Sequence, residues 1–264
     1  MSEMSLTLSD YILYSGLAVF FYMTAVYSIA LIKKDNSIVD IAWGIGFILI
    51  ALLTFFLDEG FEARHILVTI LIVVWGLRLA AHIFVRNRGR GEDFRYAQWR
   101  REWGKWFYLR SFFQIFMLQG FLMLIIAYPL MLVNHSQKTG ISFLDGAGFV
   151  LWLLGFFFEA GGDYQLARFK RIPGNKGKIM KYGLWKYTRH PNYFGETAMW
   201  WGIFLIAVSV KDGWTAVISP LLITFLLLRV SGVTMLEKKY VGNKEFEEYA
   251  RRTSSFFPWF PKKV

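Results

Sequence analysis

The sequence predicts an all-α integral membrane protein of about seven transmembrane helices, N-terminus out and C-terminus cytoplasmic, with interfacial helices. Two observations predict it. Of 264 residues, 55% are hydrophobic, and they gather into seven runs: about 11–32, 38–57, 65–85, 111–133, 143–167, 193–210 and 214–233. Most reach the ~20 residues that a helix needs to cross ~30 Å of hydrocarbon. The net charge of +11 is also uneven. Most Lys and Arg fall in 87–110, 168–190 and the tail after Glu237, whereas 58–64, 134–142 and 211–213 hold one basic residue each. Seven spans put every basic segment on one side, which the positive-inside rule makes cytoplasmic.

The elements follow in order. The polar leader Met1 to Asp10 has no basic n-region, and the run 11–32 is too long for a signal peptide, so a retained helix is expected. The second run opens with Asp40 and Trp43, three apart and on one helical face. The third carries Arg78 and His82, then Asn87-Arg88-Gly89-Arg90-Gly91, a turn that presents arginines. Residues 93–110 mix Phe94, Trp99, Trp103, Trp106 and Phe107 with cations, the composition of an interfacial helix. The fourth run is clean hydrocarbon in its outer half. In the fifth, Glu159 and Asp163 stand four apart around Ala160-Gly161-Gly162, and Arg168, Lys170 and Arg171 follow. The sixth opens on Arg189-His190-Pro191-Asn192-Tyr193-Phe194-Gly195-Glu196, which puts Asn192 and Glu196 four apart. Arg229 closes the seventh, within pairing distance along the chain of Glu237. The ending Phe256-Phe257-Pro258-Trp259-Phe260-Pro261-Lys262-Lys263 reads as an aromatic anchor.

An ionisable group inside a membrane costs roughly 2.5 kcal/mol or more unless it is paired or faces a cavity. Each polar group has a plain structural role open to it: snorkelling for Arg78 and His82, capping for Asp40, close packing for the glycines. Taken together they share the cytoplasmic half of their spans. Cations suited to phosphates and carboxylates and amides suited to sugar hydroxyls and carboxamides fit a cytoplasm-facing cavity for an anionic nucleotide. No G-x-G-x-x-G or P-loop occurs, so side chains from several helices would hold it. The four histidines are scattered without ligand spacing, no serine sits in a nucleophile elbow, and zero cysteines exclude disulfides and thiolate chemistry. No metal and no nucleic acid is expected. No repeat or long linker divides the chain, which reads as one domain over 1–264.

These residues resemble the steroid 5-alpha-reductase family, most closely its large bacterial branch. Asn87-Arg88-Gly89-Arg90 is similar to the family's N-R-G-R segment, and Asp163-Tyr164 with Arg168, Lys170 and Arg171 to its fifth-span S-D-Y and basic pair. Gly183-Leu184-Trp185-Lys186-Tyr187 through Asn192-Tyr193-Phe194-Gly195-Glu196 is similar to its G-L-F-x-Y-V and A-N-Y-F-G-E stretches. The resemblance implies a seven-helix reductase of the bacterial inner membrane that binds NADPH from the cytoplasm. The cofactor contacts implied are Asn87, Arg88, Arg90, Asp163, Lys170, Asn192 and Arg229, joined by their neighbours Glu159, Arg168, Arg171, Arg189, His190 and Tyr193. Hydride would pass to an electron-poor C=C of a lipid-like substrate: a sterol or steroid, an isoprenoid or a modified acyl chain. Membrane lipids are the other expected partner, and no obligate protein partner is inferred.

The steroid-reducing members' second-span Gln-Glu pair has no counterpart here, and Trp75 or Gly76 stands where their third-span Tyr falls. Asp40 is the expected acid in its place, with Glu196 and Arg78 as polarising groups. Arg189-His190-Pro191 with Tyr193 and Gly195 also resembles the cassette of membrane methyltransferases acting on isoprenylated cysteine or phospholipid amines. S-adenosylmethionine is therefore the alternative cofactor.

Overall fold

A computed structural model describes residues 6–57, 62–230 and 232–262. Its regular structure is helical, and the only extended pairing among the described residues is a bridge between Thr188 and Ser254. Helix α1 (Leu8–Lys33) opens at a capping box, where the Thr7 amide donates to Asp10 Oδ2 at 2.7 Å and the Asp10 amide to Thr7 Oγ1 at 3.4 Å. That pair satisfies donors which the first turn leaves free. Helices α2 (Ile38–Phe56) and α3 (Ala63–Asn87) meet backbone to backbone. A Cβ on Gly44 would lie 2.5 Å from the Gly76 carbonyl oxygen, so a larger residue would drive the two helices apart. Beside this contact Trp75 is fully buried, edge-on to Phe47 at 5.3 Å.

Helix α4 (Phe94–Trp103) starts at Asp93 and stops at Gly104, whose φ of 48° favours glycine. A short 3-10 turn leads into α5 (Phe107–Ser111), a π-helical stretch Phe112–Met117 and α6 (Leu118–Ile126). Helix α7 (Tyr128–His135) follows a break at Ala127. The fourth apolar run, expected as one span over 111–133, is thus two pieces. Pro129 has no N–H to give to the preceding turn, and the Leu130 amide bonds Ala127 O at 2.9 Å instead.

The remaining helices are α8 (Phe143–Arg171), α9 (Pro191–Val208), α10 (Ile218–Phe225), α11 (Val233–Glu237) and α12 (Lys244–Arg252), with a π-helical stretch Leu226–Val230 after α10. Among the described residues six helical segments are long and apolar enough to cross a membrane: Leu8–Lys33, Ile38–Phe56, Ala63–Asn87, Phe94–Ile126, Phe143–Arg171 and Gly213–Tyr240. The expected run 193–210 is present as α9, 18 residues long, but it falls outside that set. Asn192, Glu196 and Thr197 in its first two turns dilute its hydropathy. The chain is an integral membrane protein of helices.

The helices group into two compact units. One comprises Met1–Ser142 and Ala207–Ala216, the other Phe143–Ile206 and Val217–Val264. In the first, Asn134 is fully buried, and its Nδ2 donates to Thr54 Oγ1 at 2.9 Å, joining α7 to α2. Arg64, 1% exposed, donates to the carbonyls of Lys138 and Gly140 at 2.7 Å each. In the second unit the loop after α8 folds back on its own helix: Trp185 Nε1 donates to Gly162 O at 3.0 Å, and the Leu184 amide to Gln165 Oε1 at 2.9 Å.

Candidate functional site

The second unit builds its polar cluster on a glycine contact. Gly148, Gly155 and Gly162 recur every seven residues, which keeps them on one stripe of α8. A Cβ at Gly148 would lie 2.5 Å from Gly202 O, one at Gly155 2.5 Å from Gly195 O, and one at Gly162 2.9 Å from Pro191 Cγ. The backbones of α8 and α9 therefore touch along three levels. At the last of these Asn192 faces Asp163, its Nδ2 donating to Asp163 Oδ1 at 3.1 Å. Asn192 Oδ1 is buried and has no hydrogen-bond partner among the described residues. One turn along α8 Glu159 is 3% exposed and Asp163 8%. Glu196 and Tyr193 are half-buried on α9, and Tyr193 stacks on His190 at 5.6 Å between ring centres. Arg168, Lys170 and Arg171, at the end of α8, are exposed, as is Arg229 in the π-helical stretch.

Arg189 and His190 are committed elsewhere. The Arg189 guanidinium forks onto Glu237 through Nε at 2.8 Å and Nη2 at 3.0 Å, and its Nη1 donates to the carbonyls of Ala250 and Thr253 at 3.0 and 2.6 Å. His190 Nε2 lies 3.0 Å from the same carboxylate. Glu237 thus pairs with these two residues, where the sequence suggested Arg229. These contacts pin the start of α9 to the C-terminal segment.

In the first unit Asn87, Arg88, Gly89 and Arg90 form a type II turn. Arg88 has φ −56° and ψ 127°, Gly89 has φ 74°, and the Arg90 amide donates to Asn87 O at 3.0 Å. That turn requires positive φ at its third position, which is why glycine stands there. Asn87 is half-buried and takes a bond from Arg86 Nε at 3.2 Å, and the Arg88 and Arg90 side chains are exposed. The chain just after the turn is braced, because Glu92 accepts from the Asn36 amide at 2.9 Å and from Arg100 at 2.7 and 2.9 Å. Asp93 caps α4 and accepts from Arg95 Nε at 2.8 Å. Burial opposes ionisation of Asp93, but the hydrogen bonds and charge of Arg95 outweigh it and hold the carboxyl below its ordinary 3.8.

Asp40, at the start of α2, has both oxygens engaged. Arg95 Nη2 donates to Oδ2 at 2.9 Å and the Tyr96 hydroxyl to Oδ1 at 2.7 Å. Tyr96 is 3% exposed. Arg78 is half-buried on α3. Sequence reasoning missed Arg95 and Tyr96, and it missed the pairing of Glu237 with Arg189 and His190. A Tyr between two cations in an aromatic, basic stretch looks like any interfacial helix, and its partner lies 56 residues away.

The chain matches, over residues 26–253, the family described as protein of unknown function (DUF1295). It is similar to 3-oxo-5-alpha-steroid 4-dehydrogenase 1 of Rattus norvegicus, 29% identical over 115 residues covering 42% of this chain and 40% of that protein. The protein of that name from Homo sapiens is 40% identical over 65 residues, 24% of this chain and 25% of that protein. An uncharacterized protein of Schizosaccharomyces pombe is 25% identical over 85% of this chain and 73% of that protein. The chain thus spans about 40% of the length of the rat relative. No solved structure matches it significantly.

Proposed function

Because the chain belongs to the DUF1295 family and is steroid 5-alpha-reductase-like, we propose that it is a membrane-embedded, NADPH-dependent reductase of an electron-poor C=C in a lipid-like substrate. The observation that carries the reading is Asn192. Its Nδ2 is spent on Asp163 while its buried Oδ1 lacks a partner among the described residues. An unsatisfied buried acceptor costs about 1–3 kcal/mol, a cost that a ligand donor would remove. A carboxamide N–H or a sugar hydroxyl is such a donor, and the buried carboxylates of Glu159 and Asp163 are acceptors of the same kind. The residues therefore fit the nicotinamide riboside part of NADPH.

The exposed cations suit phosphates, since guanidinium forks bind phosphate oxygens with two parallel bonds. We assign that role to Arg88, Arg90, Arg168, Lys170, Arg171 and Arg229, with Asn87 fixing the turn that carries the first two. Arg189 and His190 act by positioning: bound to Glu237, they hold the start of α9 so that Asn192 faces Asp163. Tyr193 supports them by stacking on His190.

When bound, NADPH supplies a hydride to the beta carbon of the C=C. The chain's own task is then to hold charge and a proton. Asp40 and Tyr96 form a proton-holding pair in which Arg95 balances the carboxylate. Glu196 and Arg78 are the proposed polarising groups. The substrate is left as a class: sterol or steroid, isoprenoid or modified acyl chain. By the charge asymmetry, the cofactor residues face the cytoplasm.

Mass spectrometry of total lipids from a host with and without the protein tests the reading. It predicts a lipid species that gains two hydrogens with the native chain and not with Asn192→Ala. A gain of one CH2 instead would support methyl transfer from S-adenosylmethionine and overturn the reductase assignment.

A further inference from the structure

The C-terminal segment 253–262 is held rigidly while its largest side chains stay in the open. Its backbone is tied to the loop before α9 at several points. The Arg189 amide donates to Ser254 O at 2.9 Å, Thr188 Oγ1 to Phe256 O at 2.8 Å and the Trp259 amide to Tyr187 O at 2.9 Å. The Lys262 amide donates to Arg252 O at 2.9 Å, which closes the segment back onto the end of α12. Phe256 is the inward anchor, 5% exposed against Phe194. Pro258 and Pro261 fix φ, which stiffens the segment.

Phe257, Trp259 and Phe260 are 69, 73 and 77% exposed. Burying apolar ring surface is favourable, so three rings held in water are costly unless something covers them. The exposed cations Lys186, Arg252 and Lys262 lie in the segments that carry these ties. Aromatic rings edged by Lys and Arg are the composition of the headgroup level of a bilayer. The loop that carries the segment runs directly into α9. A second copy of the chain is a poor occupant, because a net charge of +11 and an identical basic rim would set like charges against each other.

We propose that residues 256–262 form a membrane-docking plate, with Phe257, Trp259 and Phe260 seated at the headgroup level of an anionic lipid surface. Each nearby Lys or Arg adds attraction to an anionic surface. The cover is therefore lipid, and it is independent of the cofactor and of the reaction.

The test uses the full chain in phosphatidylcholine–phosphatidylglycerol vesicles whose acyl chains are brominated near the glycerol end or near the methyl end. Subtracting the Trp259→Phe variant isolates the emission of Trp259 from that of the other tryptophans. Glycerol-end bromines should quench it at least about threefold more than aqueous iodide or methyl-end bromines do. Quenching by iodide alone would leave the plate in water and overturn the proposal. Protection from all three quenchers would mean a protein cover and overturn it equally. Since the chain has no cysteine, a spin label on Phe260→Cys gives an independent depth, and a depth outside the headgroup region contradicts the proposal.

Discussion

At the scale of single residues, the decisive groups are those whose hydrogen bonds are complete or conspicuously incomplete. Tyr96 is buried and its hydroxyl donates to Asp40 at 2.7 Å. Tyr96→Phe removes only that hydroxyl, so it should lower stability by about 1–2 kcal/mol, read as a drop in the thermal midpoint in detergent. If the pair also handles a proton, turnover falls in the same variant while NADPH affinity stays. Loss of stability with unchanged turnover would confine Tyr96 and Asp40 to a structural role. Asn192, Asp163, Asp40 and the N-R-G-R turn are legible in the sequence, because a carboxylate or amide beside a basic loop needs a reason. The pairings of Arg95 and Tyr96 with Asp40, and of Glu237 with Arg189, are not legible. Their partners lie 55, 56 and 48 residues away, and only the fold brings each pair together.

Among the elements, α8 and α9 position the cluster, and glycine is what lets them do so. A Cβ at Gly155 would sit 2.5 Å from Gly195 O and 2.7 Å from the Met199 amide nitrogen, both backbone atoms that cannot step aside. Gly155→Ala should therefore destabilise by about 1–3 kcal/mol and weaken cofactor binding, because the shift moves Asn192 away from Asp163. Gly146 lies on the same helix with nothing among the described residues within 4 Å of its would-be Cβ. Gly146→Ala should be neutral or stabilising by up to about 1 kcal/mol. Equal thermal midpoints for the two variants would remove the close-contact argument. The seven-residue spacing on α8 is visible in the sequence as a stripe, but which helix it faces is not. The broken span at Ala127 was open to a reader of Pro129, yet its apolar neighbours hide it within one continuous hydrophobic run.

For the whole molecule, the apolar runs and the charge asymmetry were enough to read a helical membrane protein. Six runs fall within long apolar helical segments, the fourth of them broken at Ala127, while the sixth, α9, is diluted by Asn192, Glu196 and Thr197. Orientation can be measured directly in a chain with no native cysteine. Lys211→Cys should react with a membrane-impermeant maleimide in intact cells, and Lys176→Cys only after the membrane is opened. The reverse pattern would place the residues proposed to bind the cofactor on the wrong side for a cytoplasmic nucleotide. The central claim is that the polar wall of α8 and α9 holds NADPH, and ligand-dependent thermal unfolding of the detergent-purified chain addresses it most directly. NADPH should raise the midpoint, S-adenosylmethionine should not, and Asn192→Ala should cost at least about tenfold in NADPH affinity, or ~1.4 kcal/mol. Stabilisation by S-adenosylmethionine alone, or an NADPH affinity untouched by Asn192→Ala, would contradict it.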